Sequence, residues 1–326
     1  MKKKFCVIFI LVLFISMFSF YSKPAYADKE KIYLGGMPAG FSLYTRGAHV
    51  VGLCDVITEN GLKSPAKDVE IKVGDVILAI GVYEINNASD IEKALYNGRI
   101  KNVSIQRNGK ILTEKIVPAK DINGSYRLGV FIRDNINGIG TITYIKGNRF
   151  ASLGHPVTDD KGDVLNIIGG NLYNCDITGY VKGQKGKAGE LRGVFLNNKK
   201  IATIDKNNNC GVFGKLNEKA IDYEKLTEIE IGEARMGNAE IFSTINGQEP
   251  KVYDISIIKT DFNGDNKNFV IKINDETLVD STGGIVQGMS GSPIVQDGKL
   301  VGAVTHVFIN DPLRGFGISI EKMIKH

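Results

Sequence analysis

The stretch GIVQGMSGSPIVQDGKLVGAVTHVF, residues 284–308, places a serine between glycines and follows it with an apolar run. The serine is Ser290, and Gly288 and Gly291 lie on either side of it. A serine in such a block is more often a turn residue than a nucleophile. A plain turn would also accept Asn, Ser or Ala, so this block is more exacting than a turn requires. The stretch therefore makes Ser290 a candidate nucleophile.

The region around this block consists of short strand-like runs separated by turn signals such as Asn137-Gly138 and Asn263-Gly264. The runs are RLGVFIRD, GIGTITYI, ATID, CGVFG, AEIFSTI, VYDISIIK and NFVIKI. Such spacing, with little helical periodicity, predicts an all-β barrel or sandwich over residues 122–326. It disfavours an α/β-hydrolase, whose G-x-S-x-G elbow would also need glycine where this chain has Ser292.

A serine nucleophile needs a base, and the chain has four histidines. His155 follows an apolar run and lies where a strand gives way to a loop, whereas His306 lies inside the run VGAVTHVF. A lone histidine in a turn is more often a solvated or capping residue. His155 before Ser290, in one β domain, nevertheless fits a barrel serine protease. The flanking glycines would let the amides of Gly288 and Ser290 face a developing oxyanion.

Composition and charge limit the other classes of function. The chain has 326 residues, 43% of them apolar and 24% charged, which predicts a globular protein of about two domains. Lys2 to Lys4 precede an apolar run, and small residues follow at Ala25 to Ala27, so residues 1–27 are predicted to be a signal peptide or a membrane anchor. Removing them removes four lysines and lowers the net charge from +5 to +1, which argues against nucleic-acid binding.

Three cysteines, Cys54, Cys175 and Cys210, follow the predicted signal segment. An odd number without CxxC spacing argues against a disulfide framework and a structural zinc site. A single bridge between Cys175 and Cys210 and three free thiols both remain open. No metal or organic cofactor is expected.

Residues 31–118 are predicted to form a separate, smaller α+β domain. Its strands are HVVGLCDVI (49–57), GDVILAIGVYEI (74–85) and NVSIQRNGKILTEKIVP (102–118), the last a hairpin turning at Asn108-Gly109. A helix in NASDIEKALYN is predicted to begin at a Ser89 cap. The polar segment 119–126 is taken as the domain boundary.

The segment GLKSPAKDVEIKVGDVILAIGVYEINNASDIEKAL, residues 61–95, resembles the PDZ domains attached to secreted serine proteases. In a PDZ domain, a glycine-containing loop binds a peptide carboxylate, and the peptide adds as a strand beside the helix. By position, that loop is GGMPAGFSL, residues 35–43, with the predicted peptide-binding residues Gly36, Ala39, Gly40 and Phe41. The alternative is that these glycines only permit a turn.

Three blocks carry a more specific resemblance: GVFIRDNINGIGTITYI, FASLGHPVTD and GIVQGMSGSPIVQDGKLVGAVTHVFINDPLRGFGI. With the signal segment and the PDZ-like domain ahead of them, the chain resembles the stage IV sporulation protein B peptidases of endospore-forming bacteria. The resemblance implies a trypsin-like β-barrel serine peptidase with His155, Asp275 and Ser290 as its catalytic triad. From the residues alone, Asp280, Asp159 and Asp160 would be equally eligible to orient the histidine.

The resemblance also implies a biological role. The peptidase would act in the space between the forespore and mother-cell membranes, where it would cleave the regulator of a membrane-embedded metalloprotease that activates a late sigma factor. It would also cleave itself. Two alternatives stay open: a general extracytoplasmic quality-control protease, in which the PDZ domain usually follows the protease domain, and an inactive protein that binds peptides through the PDZ-like groove.

Substrate specificity is left open by the sequence. The pocket for the residue before the cleaved bond is expected near Ser281 to Gly284 and the strand AVTHV. No acidic residue stands where it would select Lys or Arg by charge, although Asp280 lies nearby in the sequence.

Overall fold

A computed structural model describes residues 31–159, 162–217, 219–264 and 266–325 of the protein. The predicted signal peptide or anchor, residues 1–27, lies outside these described residues. Within them, no helix is both long enough and apolar enough to cross a lipid bilayer.

Strands make up most of the described residues, and helices are few and short. The strands are β1 (Ile32–Leu34), β2 (Pro38–Leu53), β3 (Val56–Thr58), β4 (Gly61–Lys63), β5 (Val76–Ile80), β6 (Tyr83–Glu84), β7 (Lys101–Arg107), β8 (Lys110–Ile116), β9 (Ala119–Lys120), β10 (Tyr126–Arg127), β11 (Val130–Lys146), β12 (Arg149–Ser152), β13 (Ile167–Val181), β14 (Glu190–Asn208), β15 (Gly211–Leu216), β16 (Glu230–Ile231), β17 (Gly237–Ser243), β18 (Lys251–Thr260), β19 (Phe269–Ile273), β20 (Pro293–Gln296), β21 (Lys299–Phe308) and β22 (Asp311–Ser319). The helices are α1 (Pro65–Asp68), α2 (Ala88–Leu95), α3 (Glu276–Thr282) and α4 (Ile320–Ile324), with a 3₁₀ turn at Tyr223–Lys225. The mainly β fold class predicted from the sequence is confirmed.

A first barrel is closed by antiparallel pairing of β2, β11, β12, β15, β14 and β13, with β13 returning to β2. Apolar side chains from these strands fill its interior, including Phe41, Leu43, Ile142, Phe150 and Leu172. Closing the ring gives each of the six strands a neighbour on both sides over part of its length and buries apolar side chains inside.

A second barrel is closed in the same way by β17, β18, β19, β22, β21 and β20. Its strands alternate buried and more exposed positions, as in FVIKI of β19, so every second side chain points into the core. Between the two barrels, Tyr144 and Phe213 of the first pack with Val295 and Ile318 of the second. Met323 of α4 completes this cluster. The paired barrels confirm the β-barrel peptidase domain predicted from the resemblance.

The smaller α+β module lies on the ends of β2 and β11 and contains β3 to β8, α1 and α2. Its core is built by Val50, Ile77, Leu95, Val103 and Ile116, all at most 1% exposed. These residues form a cluster separate from those of the barrels. The module therefore has a hydrophobic core of its own.

Two local predictions for this module can be compared with the structure. The hairpin between β7 and β8 turns at Asn108 and Gly109, both with positive φ, as predicted. The predicted Ser89 cap of α2 is wrong, because the Asn87 side chain accepts the cap hydrogen bond from the Asp90 amide at 3.0 Å. Asparagine caps as well as serine does, so the pattern allowed either residue.

The predicted domain boundary, with residues 31–118 in one domain and 122–326 in the other, is wrong in its placement of β2. Residues 38–45 pair with β13 on one side and β11 on the other, so they belong to the first barrel. The strand bends at Gly47 (φ +84), where a Cβ would lie 2.4 Å from Val76 Cγ1. Its remaining residues enter the module core. The module and the barrel are thus joined by two continuous strands, β2 and β11, and not by a flexible linker.

The predicted carboxylate loop, with Gly36, Ala39, Gly40 and Phe41, is wrong for the same reason. Ala39, Gly40 and Phe41 are buried in the doubly paired part of β2, which offers no free edge to a peptide. The Gly36 amide donates to the Ile142 carbonyl at 2.8 Å, beside the barrel strands. The resemblance to PDZ domains placed the loop here by position, but pairing with distant strands decided the structure.

No disulfide joins Cys54, Cys175 or Cys210 among the described residues. Burial raises the pKa of the Cys175 thiol to about 11, with a smaller contribution from Asp176. Of the two alternatives left open by the sequence, the structure therefore shows the one without a bridge between Cys175 and Cys210.

Candidate active site

The candidate nucleophile lies within the second barrel, in a loop before β20 that we call the nucleophile loop (residues 287–291). Ser290 and His155 line the same cleft, whose volume is about 500 Å³. The Ser290 hydroxyl donates a hydrogen bond of 2.7 Å to the Thr305 carbonyl of β21. The two residues singled out by the sequence are therefore brought to one cleft from distant parts of the chain.

Every carbonyl of the nucleophile loop accepts a hydrogen bond. The Gln287 carbonyl accepts from Leu191 N, the Gly288 carbonyl from Thr141 Oγ1, and the Met289 carbonyl from Ser292 N. The Ser290 carbonyl accepts from Thr141 N and the Gly291 carbonyl from Thr143 Oγ1, and all five distances are 2.8 to 3.0 Å. The amides of Gln287, Met289 and Gly291 donate to backbone carbonyls as well. By contrast, the amides of Gly288 and Ser290 donate to no acceptor among the described residues. Two unpaired amides beside the candidate nucleophile are what an oxyanion hole requires.

The glycines of the loop are required by its conformation. Gly288 has φ +98 and Gly291 has φ +93, which are unfavourable for residues with a side chain. A Cβ on Gly291 would lie 2.1 Å from the Thr141 carbonyl oxygen. These contacts explain why the block is more exacting than a plain turn.

His155 lies three residues after the end of β12 and lines the cleft. Its Nδ1 is 2.8 Å from the Pro156 carbonyl oxygen. A carbonyl can only accept, so Nδ1 carries the proton of the neutral ring and Nε2 is left as the acceptor. Burial lowers the pKa of His155, against a smaller opposing effect of the Pro156 carbonyl. The imidazole is therefore neutral at pH 7 and is in the tautomer that can accept a serine proton at Nε2.

His306 was read from the sequence as a strand residue, and it does lie in β21. Its ring also packs against the His155 ring, with centroids 4.7 Å apart. Burial, followed by the charges of His155 and Lys267, lowers the pKa of His306 to about 4. The residue next to the candidate base is thus an uncharged ring at neutral pH, which sequence reasoning missed because nothing local in VGAVTHVF pairs the two histidines.

The predicted contact between Asp275 and His155 is not formed in this structure. Asp275 is the N-cap of α3, and its carboxylate accepts from the Leu278 amide at 2.8 Å. Among the described residues, His155 hydrogen-bonds to the Pro156 carbonyl and to no carboxylate. The cap follows from the sequence itself, because aspartate just before an amphipathic turn favours an N-cap. The Pro156 carbonyl holds the ring in the place of the predicted aspartate.

The other aspartates that the sequence left open also fail to reach His155. Asp280 is exposed on α3, and its backbone carbonyl accepts from Lys182 Nζ. Asp159 is exposed in a turn, where it accepts from the Asp163 amide at 3.0 Å. Asp160 lies outside the described residues.

Replacing Asp275 by asparagine is expected to change kcat/KM by no more than about threefold, because asparagine caps a helix as well as aspartate does. Replacing it by alanine should lower the free energy of unfolding by about 1 kcal/mol through loss of the cap. Peptide hydrolysis and urea unfolding of both variants check this. A loss of about 10⁴-fold in Asp275→Asn, as for a triad aspartate, would show that the carboxylate orients His155 in the working enzyme.

The cleft is lined mainly by apolar side chains. They include Phe41, Leu153, Ile285, Val286 and Val307. Its described lining contains no Asp, Glu, Lys or Arg, so the cleft has no charged group for selecting a charged side chain. The predicted stretch Ser281 to Gly284 is absent from this lining, although the residue that follows it, Ile285, is part of the lining. Phe41, predicted to bind a peptide elsewhere, is part of the wall.

Comparison with known proteins supports the identification of the chain as a peptidase. The family model described as SpoIVB peptidase S55 matches residues 124–324, which is more than half of the chain. Among solved structures, the chain is similar to the active form of the Rv3671c protease from M. tuberculosis, at 15% identity and a TM-score of 0.37, over 58% of this chain and 72% of that chain. It is also similar to the thermostable serine protease AL20 from an extremophilic microorganism, at 10% identity and a TM-score of 0.27, over 88% of this chain and 93% of that chain. Because these similarities are weak, they give no information about the site. The evidence for the two barrels is the strand pairing described above.

Proposed function

This chain belongs to the SpoIVB peptidase S55 family and is a serine endopeptidase, and we propose that Ser290 is its nucleophile and His155 its general base. The observation that carries this proposal is the pair of unpaired amides, Gly288 and Ser290, in a loop where every carbonyl is bonded. Amides in this position can stabilise the negative charge that develops on a substrate oxygen next to the nucleophile.

The chemistry follows from the positions of these groups. The Ser290 hydroxyl exchanges its bond to the Thr305 carbonyl for one to His155 Nε2, which takes the proton as Oγ attacks the peptide carbonyl carbon. The Gly288 and Ser290 amides stabilise the oxyanion of the tetrahedral intermediate. His155 then gives its proton to the leaving amine as the C–N bond breaks, and water releases the acyl group by the same route in reverse. The imidazolium that forms is held by the bond from Nδ1–H to Pro156.

The biological setting proposed here is sporulation. Membership of the SpoIVB peptidase family supports this setting, and the apolar segment within residues 1–27 supports export or anchoring at the forespore–mother-cell interspace. The proposed substrate is a membrane-associated regulator of a membrane-embedded metalloprotease, and the chain is also proposed to cleave itself. No metal or organic cofactor takes part in the proposed steps.

Self-cleavage offers a direct test of this proposed function. The purified chain and its Ser290→Ala form are incubated separately, and the products are identified by mass spectrometry. We expect discrete fragments from the wild type and an intact mass from Ser290→Ala. If the wild-type chain stays intact but still hydrolyses peptides, the proposal of self-cleavage is wrong and the assignment as an endopeptidase stands. Fragments from both proteins would argue against Ser290.

A second cleft, which we call the α2 groove, lies in the module between α2 and the start of β11. Its volume is about 390 Å³, and its apolar lining includes Ile91 and Leu95 of α2 and Val130 and Ile132 of β11. In the described residues, the 130–132 segment pairs with β2 only, so its other edge faces the groove. An extended peptide could add to this edge as a strand.

We propose that a peptide carboxylate binds at the end of the α2 groove formed by Leu128 and Gly129, and not at the loop of residues 35–43 predicted from the sequence. The amides of Leu128 and Gly129 donate to no acceptor among the described residues. Gly129 has φ +78, and both residues line the groove. Consecutive unpaired amides at a glycine turn are suited to binding a terminal carboxylate. The proposed occupant is therefore the C-terminal end of a protein substrate.

Replacing Ala88 by glutamate tests this assignment, because Ala88 is exposed at the start of α2 and lines the groove. The matched control is Ser89→Glu, which adds the same charge at the adjacent exposed residue outside the lining. The probe is a pool of fluorescent nine-residue peptides with an apolar C-terminal residue, either as free acids or as amides. We expect Ala88→Glu to weaken binding of the free acids about tenfold. Ser89→Glu should bind as wild type does, and both variants should hydrolyse short peptides normally.

Equal binding of the free acids and the amides would contradict the carboxylate site. Equal weakening by both variants would mean that charge anywhere on α2 is responsible, and that the α2 groove is not the binding site.

A further inference from the structure

Thr141 of β11 makes two hydrogen bonds to the nucleophile loop, and both hold carbonyls next to the unpaired amides. Its hydroxyl donates to the Gly288 carbonyl at 3.0 Å, and its amide donates to the Ser290 carbonyl at 2.9 Å. The residue is 1% exposed, so no water competes for these bonds. We propose that Thr141 is a positioning residue for the reaction, and that its hydroxyl sets the geometry of the oxyanion amides.

The first barrel holds Thr141 in place. Its partner in the antiparallel pairing with β2 is Pro38. Its carbonyl accepts hydrogen bonds from the Ser152 hydroxyl and the Leu153 amide. The nucleophile loop, by contrast, leads into β20 of the second barrel. Thr141 therefore fixes the loop from outside, across the line where the two barrels meet.

The effect on the amides follows from the planarity of the peptide group. A bonded carbonyl fixes its peptide plane, and the planes on the two sides of Gly288 are held by Leu191 N and by Thr141 Oγ1. Between them, glycine at φ +98 has little torsional preference of its own. Without the hydroxyl, the Gly288 carbonyl is buried without a donor, and its peptide plane keeps one hydrogen bond instead of two, from the Met289 amide to the Val286 carbonyl. We expect this less restrained plane to shift, and the Gly288 and Ser290 amides on either side of it to move away from the oxyanion position.

The expected effect is on kcat more than on KM. The oxyanion exists only in the transition state and the intermediate, so misplaced amides raise the barrier and leave ground-state binding almost unchanged. The inference rests on the proposed oxyanion role of these amides. It fails separately from that proposal, because Ser290→Ala tests the nucleophile and leaves the Thr141 hydroxyl in place.

The test compares Thr141→Val with Thr141→Ser, since valine keeps the shape of threonine and serine keeps the donor. The control is Thr143→Val, because the Thr143 hydroxyl is equally buried and donates to the Gly291 carbonyl at 2.8 Å, outside the planes that adjoin Gly288. We expect Thr141→Val to lower kcat about 10²-fold with KM within about twofold. Thr141→Ser should stay within about threefold of wild type, because its hydroxyl can make the same bond. Thr143→Val should lose no more than about fivefold.

A peptide boronate provides a second measurement, its inhibition constant, which would not change if Thr141 had a purely structural role. Its adduct with the serine places a charged oxygen among the amides, so its Ki should rise in Thr141→Val by about the factor lost from kcat. Equal kcat losses in the two valine variants, or a loss in Thr141→Ser as large as in Thr141→Val, would overturn the proposal. If Thr141→Val does not fold in a thermal melt, the serine variant and its boronate Ki decide the question: a wild-type value supports the proposal, and a tenfold rise contradicts it.

Discussion

Replacing Ser290 by alanine is expected to lower peptide turnover by about 10⁶-fold while the protein stays folded. The hydroxyl is the atom that attacks the substrate, and no neighbouring group can take its place with the same base and the same unpaired amides. Its one hydrogen bond in the structure is to the Thr305 carbonyl, so the loss of stability should be about 1 kcal/mol. Turnover of a fluorogenic peptide and a thermal melt check the two parts of this prediction.

Ser292→Ala is the matched control for this change. Ser292 lies two residues further on in the same block, is fully buried, and donates to the Ser243 hydroxyl at 2.9 Å. It faces the barrel interior, so its loss should leave kcat/KM within about threefold of wild type. Turnover in Ser290→Ala above about 1% of wild type would contradict the assignment of the nucleophile, because a triad serine leaves far less.

Replacing His155 by alanine is expected to be as severe, at about 10⁶-fold, because the serine then has no base. The double variant with Ser290→Ala should lose little more than either single variant, since the two side chains act in one step. Steady-state rates of the three proteins, measured with the same peptide, check this lack of additivity. His49→Ala in the α+β module is the control, and it should keep its activity.

If losses in the double variant multiplied, His155 and Ser290 would act in separate steps. His155→Ala with wild-type turnover would exclude the ring as the base. In that case, His306 would be the next residue to test, because its ring lies against that of His155.

The sequence was most informative where the chemistry is local. The block around Ser290 could be recognised because its glycines are required within a few residues, and Gly288 and Gly291 do have positive φ. His155 could be found because a strand ends just before it. Thr141 could not be found in this way, since its role depends on a loop almost 150 residues further along the chain.

The differences between sequence and structure have two physical origins. Residues 35–43 were assigned to a peptide-binding loop by their position in the resemblance to PDZ domains, but residues 39–43 pair with β11 and β13, which lie far along the chain. Tertiary pairing of this kind overrides local turn preferences. Asp275 was assigned to the triad by resemblance, whereas its local sequence favours a helix cap and the structure shows one. The deciding contact was not visible in the surrounding residues for the loop, whereas for Asp275 it is a bond to the Leu278 amide, three residues further on.

The most direct test of the central claim, that Ser290 is the nucleophile activated by His155, is to locate the adduct formed with a fluorophosphonate. The wild-type chain is labelled and digested, and the modified residue is identified by tandem mass spectrometry. We expect one adduct, on Ser290 Oγ, with no labelling of Ser290→Ala and strongly slowed labelling of His155→Ala. An adduct on another residue, or labelling of Ser290→Ala at the wild-type rate, would contradict the account.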